Sequence, residues 1–156
     1  MRRVLLLLLA MAGLAQANGR PSAVSTINFK PGDPNEIAAG LTFGMVLSHD
    51  GGRTWHWMCE DAVGYGGMFD PVYQYSDSGA IFATTLGGLK VDRDGCTFAA
   101  TPPGMTSVSD VYIPPGTGHT VFYTAIQNSS TNGSATVPGD SNIYTSTDDG
   151  MTFPTS

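Results

Sequence analysis

The sequence predicts an all-β chain made of repeated four-stranded units, and three observations carry that expectation. Gly (20) and Pro (10) together fill 30 of 156 positions without a three-residue period, which disfavours long helices, coiled coils and collagen. Runs rich in Val, Ile, Thr, Tyr and Phe alternate with turn-forming residues, and no window outside the first segment has a helical period. A short box ending in an aromatic residue recurs three times. The length suits one domain. Only 13% of residues are charged, and the 7 Lys+Arg against 13 Asp+Glu give a net charge of -6 and a pI near 4.6. Such a balance lacks the basic footprint of a nucleic-acid binder and disfavours adhesion to an anionic membrane surface.

The first segment reads as an address. Arg2 and Arg3 precede an apolar run from Val4 to Ala15, and Ala15-Gln16-Ala17 places small residues where a signal peptidase reads. Twelve apolar residues cover about 18 Å of helix, too little for a hydrocarbon core of about 30 Å. Residues 1–17 are therefore expected to be a secretory signal peptide cleaved after Ala17, leaving residues 18–156 secreted or periplasmic with no membrane span. Loss of the two arginines takes the net charge from -6 to -8. In an oxidising compartment an even cysteine count favours a disulfide, so Cys59 and Cys96 are candidate partners, with two unpaired thiols as the alternative. Closing that loop of about 38 residues would stabilise the fold by roughly 4 kcal/mol. Two cysteines and three scattered histidines (His49, His56, His119) do not suggest zinc.

Each box has the same surroundings. The first is Ser48-His49-Asp50-Gly51-Gly52-Arg53-Thr54-Trp55 and the third is Ser146-Thr147-Asp148-Asp149-Gly150-Met151-Thr152-Phe153, both fitting Ser-x-Asp-x-Gly-x-Thr-aromatic. The second keeps Gly95, Thr97 and Phe98 but has Val91 and Arg93 where Ser and Asp belong. Alternatively its turn is one residue shorter and Asp94 takes the Asp role. Three strand-like runs precede each box and one is expected to follow it. The unit is therefore strand, turn, strand, strand, box, strand, in blades at about 22–60, 68–101 and 105–156. The box glycines 52, 95 and 150 are spaced by 43 and 55 residues, and the polar stretch Gln127 to Asp140, expected as a surface loop, accounts for the longer interval. Four strands in about 40–50 residues is the size of a β-propeller blade.

Physically the box is a turn with its own fasteners. Gly tolerates positive φ, Asp and Ser or Thr bond nearby N–H groups, and the aromatic residue packs beneath the turn. Calcium is the functional alternative for Asp92-Arg93-Asp94-Gly95 and Asp148-Asp149-Gly150, but neither stretch supplies the Glu at the twelfth loop position. No metal or other cofactor is expected.

The three boxes resemble the Asp-box, or BNR repeat, of the sialidase-like β-propellers, over nearly all of residues 22–156. The box occurs in sialidases, xyloglucan-degrading enzymes, sortilin-type receptors and photosystem II assembly factors. Trp57-Met58-Cys59-Glu60 with Gly64-Tyr65-Gly66-Gly67 is also similar to exported bacterial Asp-box proteins. The resemblance implies a blade-periphery role for the boxes, away from the central ligand face. A sialidase of this kind clamps its substrate's carboxylate with three arginines, the first in a Phe/Tyr-Arg-Ile-Pro motif, since bidentate Arg suits a carboxylate. After the leader this chain has Arg20, Arg53 and Arg93, and no Arg-Ile-Pro.

Other chemistry is thin. Glu36, Glu60, Asp61, Asp70 and Asp110 are candidate glycosidase acids, but each fits a solvated turn or strand end. There is no Gly-x-Ser-x-Gly, and Gly64-Tyr65-Gly66-Gly67 lacks the Lys and helix of a phosphate loop. Asn128 and Asn132 head glycosylation-type triplets that also suit an ordinary polar loop. Trp55, Trp57, Tyr65, Tyr73, Tyr75, Tyr112, Tyr123 and Tyr144 could floor a sugar or peptide face, but Trp55 is expected in the core, and Tyr73 with Tyr75 too. Propellers have four to eight blades, so three are expected to belong to a longer protein or to associate through open blade faces. The expected function is a non-catalytic exported scaffold for an unknown protein or glycan partner. Part of a sialidase-like glycoside hydrolase, and an assembly-factor or sortilin-like propeller, are the alternatives.

Overall fold

The computed structural model describes residues 21–66, 69–102, 107–126, 130–132, 135–137 and 140–154, with side chains of 127–139 excluded. The expected signal peptide, Arg20, Gly67 and the first glycosylation-type Asn, Asn128, lie outside them. The architecture is all-β. Strands β1 (Val24–Lys30), β2 (Asp33–Leu41), β3 (Gly44–Ser48) and β4 (His56–Cys59) form the first antiparallel sheet in the order β1-β2-β3-β4. Strands β5 (Tyr73–Tyr75), β6 (Ile81–Thr85), β7 (Gly88–Asp92) and β8 (Phe98–Ala100) repeat that order in the second. The third holds β9 (Ser107–Tyr112), β10 (Val121–Ile126) and β13 (Ser141–Ser146). Each box joins the third strand of its unit to whatever follows. No fourth strand follows the third box among the described residues.

Two expectations are corrected. The polar insertion is more than a loop, because β11 (Ser130–Asn132) and β12 (Ala135–Val137) pair there as a two-stranded hairpin. Its Thr and Val residues suit a pleated strand. A single helical turn, α1 (Glu60–Val63), also follows β4. Its acidic first turn favours the N-terminal dipole, and Gly64 ends it in the left-handed region at φ 80°.

The sheets stack face to face, and alternation along each strand supplies both faces. Sheets one and two bury Ala38, Met45 and Leu47 against Tyr73, Tyr75, Ile81 and Ala83, with Val63 and Tyr65 after β4 closing the side. Sheets two and three bury Phe82, Leu89 and Val91 against Val108, Val111, Val121 and Tyr123. Tyr123 stacks on Tyr144 at 4.7 Å between centroids and meets Phe153 edge-on at 4.8 Å. The innermost strands approach closely at the first joint. Asn28 donates its side-chain N–H to the Tyr73 carbonyl at 2.6 Å, and a Cβ on Gly40 would lie 2.8 Å from the Tyr73 ring. That position therefore requires glycine.

The cysteine expectation is overturned. Cys59 and Cys96 are both free, the first half-buried and the second exposed. Cys59 pairs opposite Gly44 at the far end of β4 from the box, whereas Cys96 sits within the second box itself. The two thiols therefore occupy opposite ends of neighbouring sheets, out of reach of a bond that needs Cα atoms within about 7 Å.

Phe82 is fully buried at the centre of the second joint. Phe82→Ala is expected to lower unfolding free energy by about 3–5 kcal/mol in urea melts, through lost burial plus an unfilled cavity.

Candidate functional site

The boxes gather along one rim of the stack. In the first, the Ser48 hydroxyl donates to Asp50 Oδ1 at 2.9 Å and accepts the Gly52 N–H at 2.8 Å. Asp50 Oδ1 accepts the Arg53 and Thr54 N–H groups at 2.9 and 2.8 Å, and Oδ2 accepts the Thr54 hydroxyl at 2.7 Å. The third box repeats this bonding. Ser146 donates to Asp148 at 2.6 Å and accepts from Gly150 at 2.9 Å, while Thr152 gives Asp148 its N–H at 2.9 Å and its hydroxyl at 2.6 Å. These donors stabilise the ionised carboxylates. The Thr54 hydroxyl is the main cause holding Asp50 far below the usual range, and the Ser146 and Thr152 hydroxyls hold Asp148 down at about 2. Gly52, Gly95 and Gly150 all have positive φ (87°, 75° and 77°), which the turn demands.

The second box is the shorter version, and Asp94 takes the Asp role. It accepts the Cys96 and Thr97 N–H groups at 2.9 and 3.0 Å, and the Thr97 hydroxyl. Asp92 stands where the others have serine, accepting the Asp94 and Gly95 N–H groups at 3.0 and 2.8 Å through Oδ1. Sequence reading missed that role. The period-two register, which pairs Asp92 with Ile81 as Ser48 pairs with Ile37, was the signal that could have revealed it. Asp92 is buried, and its Oδ2 has no hydrogen-bond partner. Burial pushes its carboxyl up, with Asp94 adding to the rise, while the Cys96 and Thr97 N–H groups hold Asp94 down.

The aromatic residues that end the boxes differ. Phe153 is buried and Phe98 partly buried, but Trp55, expected in the core, is 43% exposed. Its ring N–H folds back onto the Gly52 carbonyl at 3.1 Å, and no sheet covers that side of the first unit among the described residues. Tyr73 and Tyr75 are core residues, as expected. Burial raises both phenols, Tyr75 to about 12. Trp57 and Tyr112 are exposed, on the free faces of the first and third sheets.

Neighbouring boxes are joined unequally. Between sheets two and three, Arg93 bonds the Asp149 carboxylate at 3.0 Å and its carbonyl, Ser78 donates to the same carboxylate at 2.6 Å, and the Arg93 guanidinium lies over Phe82. Asp149 holds a left-handed φ of 59° to do this. The corresponding place between sheets one and two is a cleft of about 340 Å³, lined by Lys30, Glu36, His49, Tyr75, Asp92, Arg93 and Asp94 among others. Three replacements open it. His49 stands for Arg93, Ala38 for Phe82, and the shortened second box lacks the residue equivalent to Asp149. Glu36 and His49 contact across 2.7 Å on its wall.

Four of the five candidate acids lie in three separate surroundings. Glu36 faces His49, Glu60 and Asp61 open α1, and Asp110 lies on the free face of the third sheet. Among the described residues no three His, Cys, Asp or Glu side chains are grouped to hold a metal, and no helix is long and apolar enough to cross a membrane.

Stacked antiparallel sheets of four, four and three described strands, each carrying a fastened turn after its third strand, are the blades of a β-propeller. The arrangement matches part of the crystal structure of an ancestral GH74 enzyme, a β-propeller glycoside hydrolase, with a TM-score of 0.58 and 16% identity. The match covers 86% of this chain and 18% of that enzyme, so the chain spans under a fifth of its length. No family model and no curated protein matches the sequence.

Two outcomes test this chemistry. Asp50 and Asp148 are held below the unfolded value of 3.8, so their contribution is present above it and is lost as pH falls through their folded values, near 2 for Asp148. Asp148→Asn is expected to lower the melting temperature at pH 7 and to flatten its decline between about pH 4 and 2. Asp92 is raised, so its penalty is absent below 3.8 and grows as pH rises above it. Asp92→Asn keeps the Oδ1 acceptor without the buried charge. Its effect on the urea midpoint is expected to be more favourable at pH 7 than near pH 3 in paired denaturant titrations.

Proposed function

We propose that this chain is an exported, non-catalytic propeller scaffold that binds a glycan or protein on the rim carrying the boxes. One observation supports the reading most. The acids that recur with the repeat are engaged in turn closure, Asp50, Asp94 and Asp148 each accepting a threonine hydroxyl and backbone N–H groups. Carboxylates held this way are poor proton donors and poor nucleophiles. The cleft between the first two blades offers instead a mixed surface of cationic, acidic and phenolic groups around an apolar floor of Leu47 and Ile81, the composition of a binding pocket.

A second reading has its own support. The likeness to a GH74 enzyme over a fraction of that enzyme's length fits a piece of a glycoside hydrolase whose reacting acids lie on other blades. Incubation of the purified chain with xyloglucan and with sialylated oligosaccharides separates the two. Calorimetric binding without new reducing ends or free sialic acid is expected. Release of either product would overturn the scaffold reading. Binding that survives Lys30→Ala and His49→Ala would place the ligand elsewhere.

A further inference from the structure

The second box lacks the serine hydroxyl that the other two share. In the first and third boxes that hydroxyl does two things. It accepts the glycine N–H, and it donates its own hydrogen to the aspartate two residues on, Ser48 to Asp50 at 2.9 Å and Ser146 to Asp148 at 2.6 Å. Asp92 occupies the serine position in the second box. Its Oδ1 performs the accepting half, taking the Asp94 and Gly95 N–H groups at 3.0 and 2.8 Å. Its Oδ2 is buried without a hydrogen-bond partner. A carboxylate only accepts, so an ionised Asp92 leaves the donating half unfilled and sets a second negative charge against Asp94.

We propose that Asp92 carries a proton on Oδ2 and donates it to the Asp94 carboxylate, so that the second box closes on an acid–carboxylate hydrogen bond where its counterparts close on a serine hydroxyl. A bond of that kind is charge-assisted and strong. The surroundings supply no other way to satisfy Oδ2. Along β7, Val91 packs toward the third sheet, so Asp92 faces the first, beside its register partner Ile81. Facing it across the cleft are Lys30 at the end of β1, Glu36 on β2 and His49 in the first box, with Tyr75 and Asp94 on its own sheet. Glu36 and His49 contact each other, Arg93 is engaged by Asp149, and Lys30 ends beside Gly79. Among the described residues no cation bonds Asp92. Burial raises the Asp92 carboxyl and its contact with Asp94 raises it further, while the Cys96 and Thr97 N–H groups and that same contact lower Asp94. The two acids are thus unequal in the sense a donor and an acceptor require. Because Asp92 is raised from 3.8, its contribution is fully present below that value and is lost as pH rises through its folded midpoint. There the proton passes to water, two carboxylates face each other, and the turn loses a fastener. Both acids line the cleft, so the same step makes its wall more negative.

NMR of isotope-labelled side-chain carboxyl carbons in the whole chain, followed with rising pH, tests this. The pair is expected to lose its protons in two separate steps, the lower beneath 3.8 and centred on Asp94, the upper above 3.8 and centred on Asp92. Protection of the Thr97 amide from hydrogen exchange is expected to fall through the upper step. Asp92→Ser restores the hydroxyl, and Asp92→Asn supplies an amide N–H where the acid O–H stood. Each is expected to abolish the upper step and to hold Thr97 protection constant across it, whereas Asp92→Ala loses that protection at every pH. Asp92 and Asp94 titrating together at or below 3.8 overturns the inference. So does an upper step that persists in Asp92→Ser, which would assign it to Glu36 or His49. A rise in melting temperature with added calcium that Asp92→Ser abolishes also overturns it, since a metal ion would then stand in the proton's place.

Discussion

A carboxylate surrounded by donors sits at the head of each hairpin, and the fold's regularity depends on it. The turn after the third strand must reverse the chain while leaving several backbone N–H groups unpaired. Asp50, Asp94 and Asp148 collect those groups, and a hydroxyl or second carboxylate two residues earlier ties off the rest. With the turn fixed, the third strand enters register, and the alternating side chains fall onto two apolar faces. Neighbouring sheets can then stack with little polar surface trapped between them. The same geometry commits the repeated acids to structure, which leaves recognition to the side chains between boxes.

Much of this was legible in the chain because the box is local. Its bonds span at most a few residues, so Ser48, Asp50 and Thr54 announce the turn by spacing alone. The four-strand unit was legible for the same reason, through short β-prone runs between Gly, Pro, Asp and Ser. In the second box the hydrogen bonds put Asp94, next to its glycine, in the place that Asp50 and Asp148 hold in the other two. Asp92 in the serine position was missed although the same two-residue offset from Asp94 marks it, because a carboxylate there departs from the Ser-x-Asp pattern.

What sequence could not supply was contact between units. Cys59 and Cys96 looked like partners by count and compartment, yet the path of β4 carries Cys59 away from the box rim where Cys96 lies. Trp55 looked like core because its equivalents are aromatic, but burial of that position depends on a preceding sheet, and none covers it among the described residues. The cleft between the first two blades arises from the combined effect of Ala38, His49 and a one-residue deletion. Each is unremarked alone, and their meeting is a product of register across two sheets.

The unequal joints carry a mechanical meaning. Arg93, Asp149 and Ser78 strap the second and third blades together beside a cation-over-ring contact, while the first and second blades share Asn28's bond to a carbonyl and a water-accessible gap. Strain applied along the stack will therefore concentrate at the earlier seam, where amide hydrogens should exchange sooner.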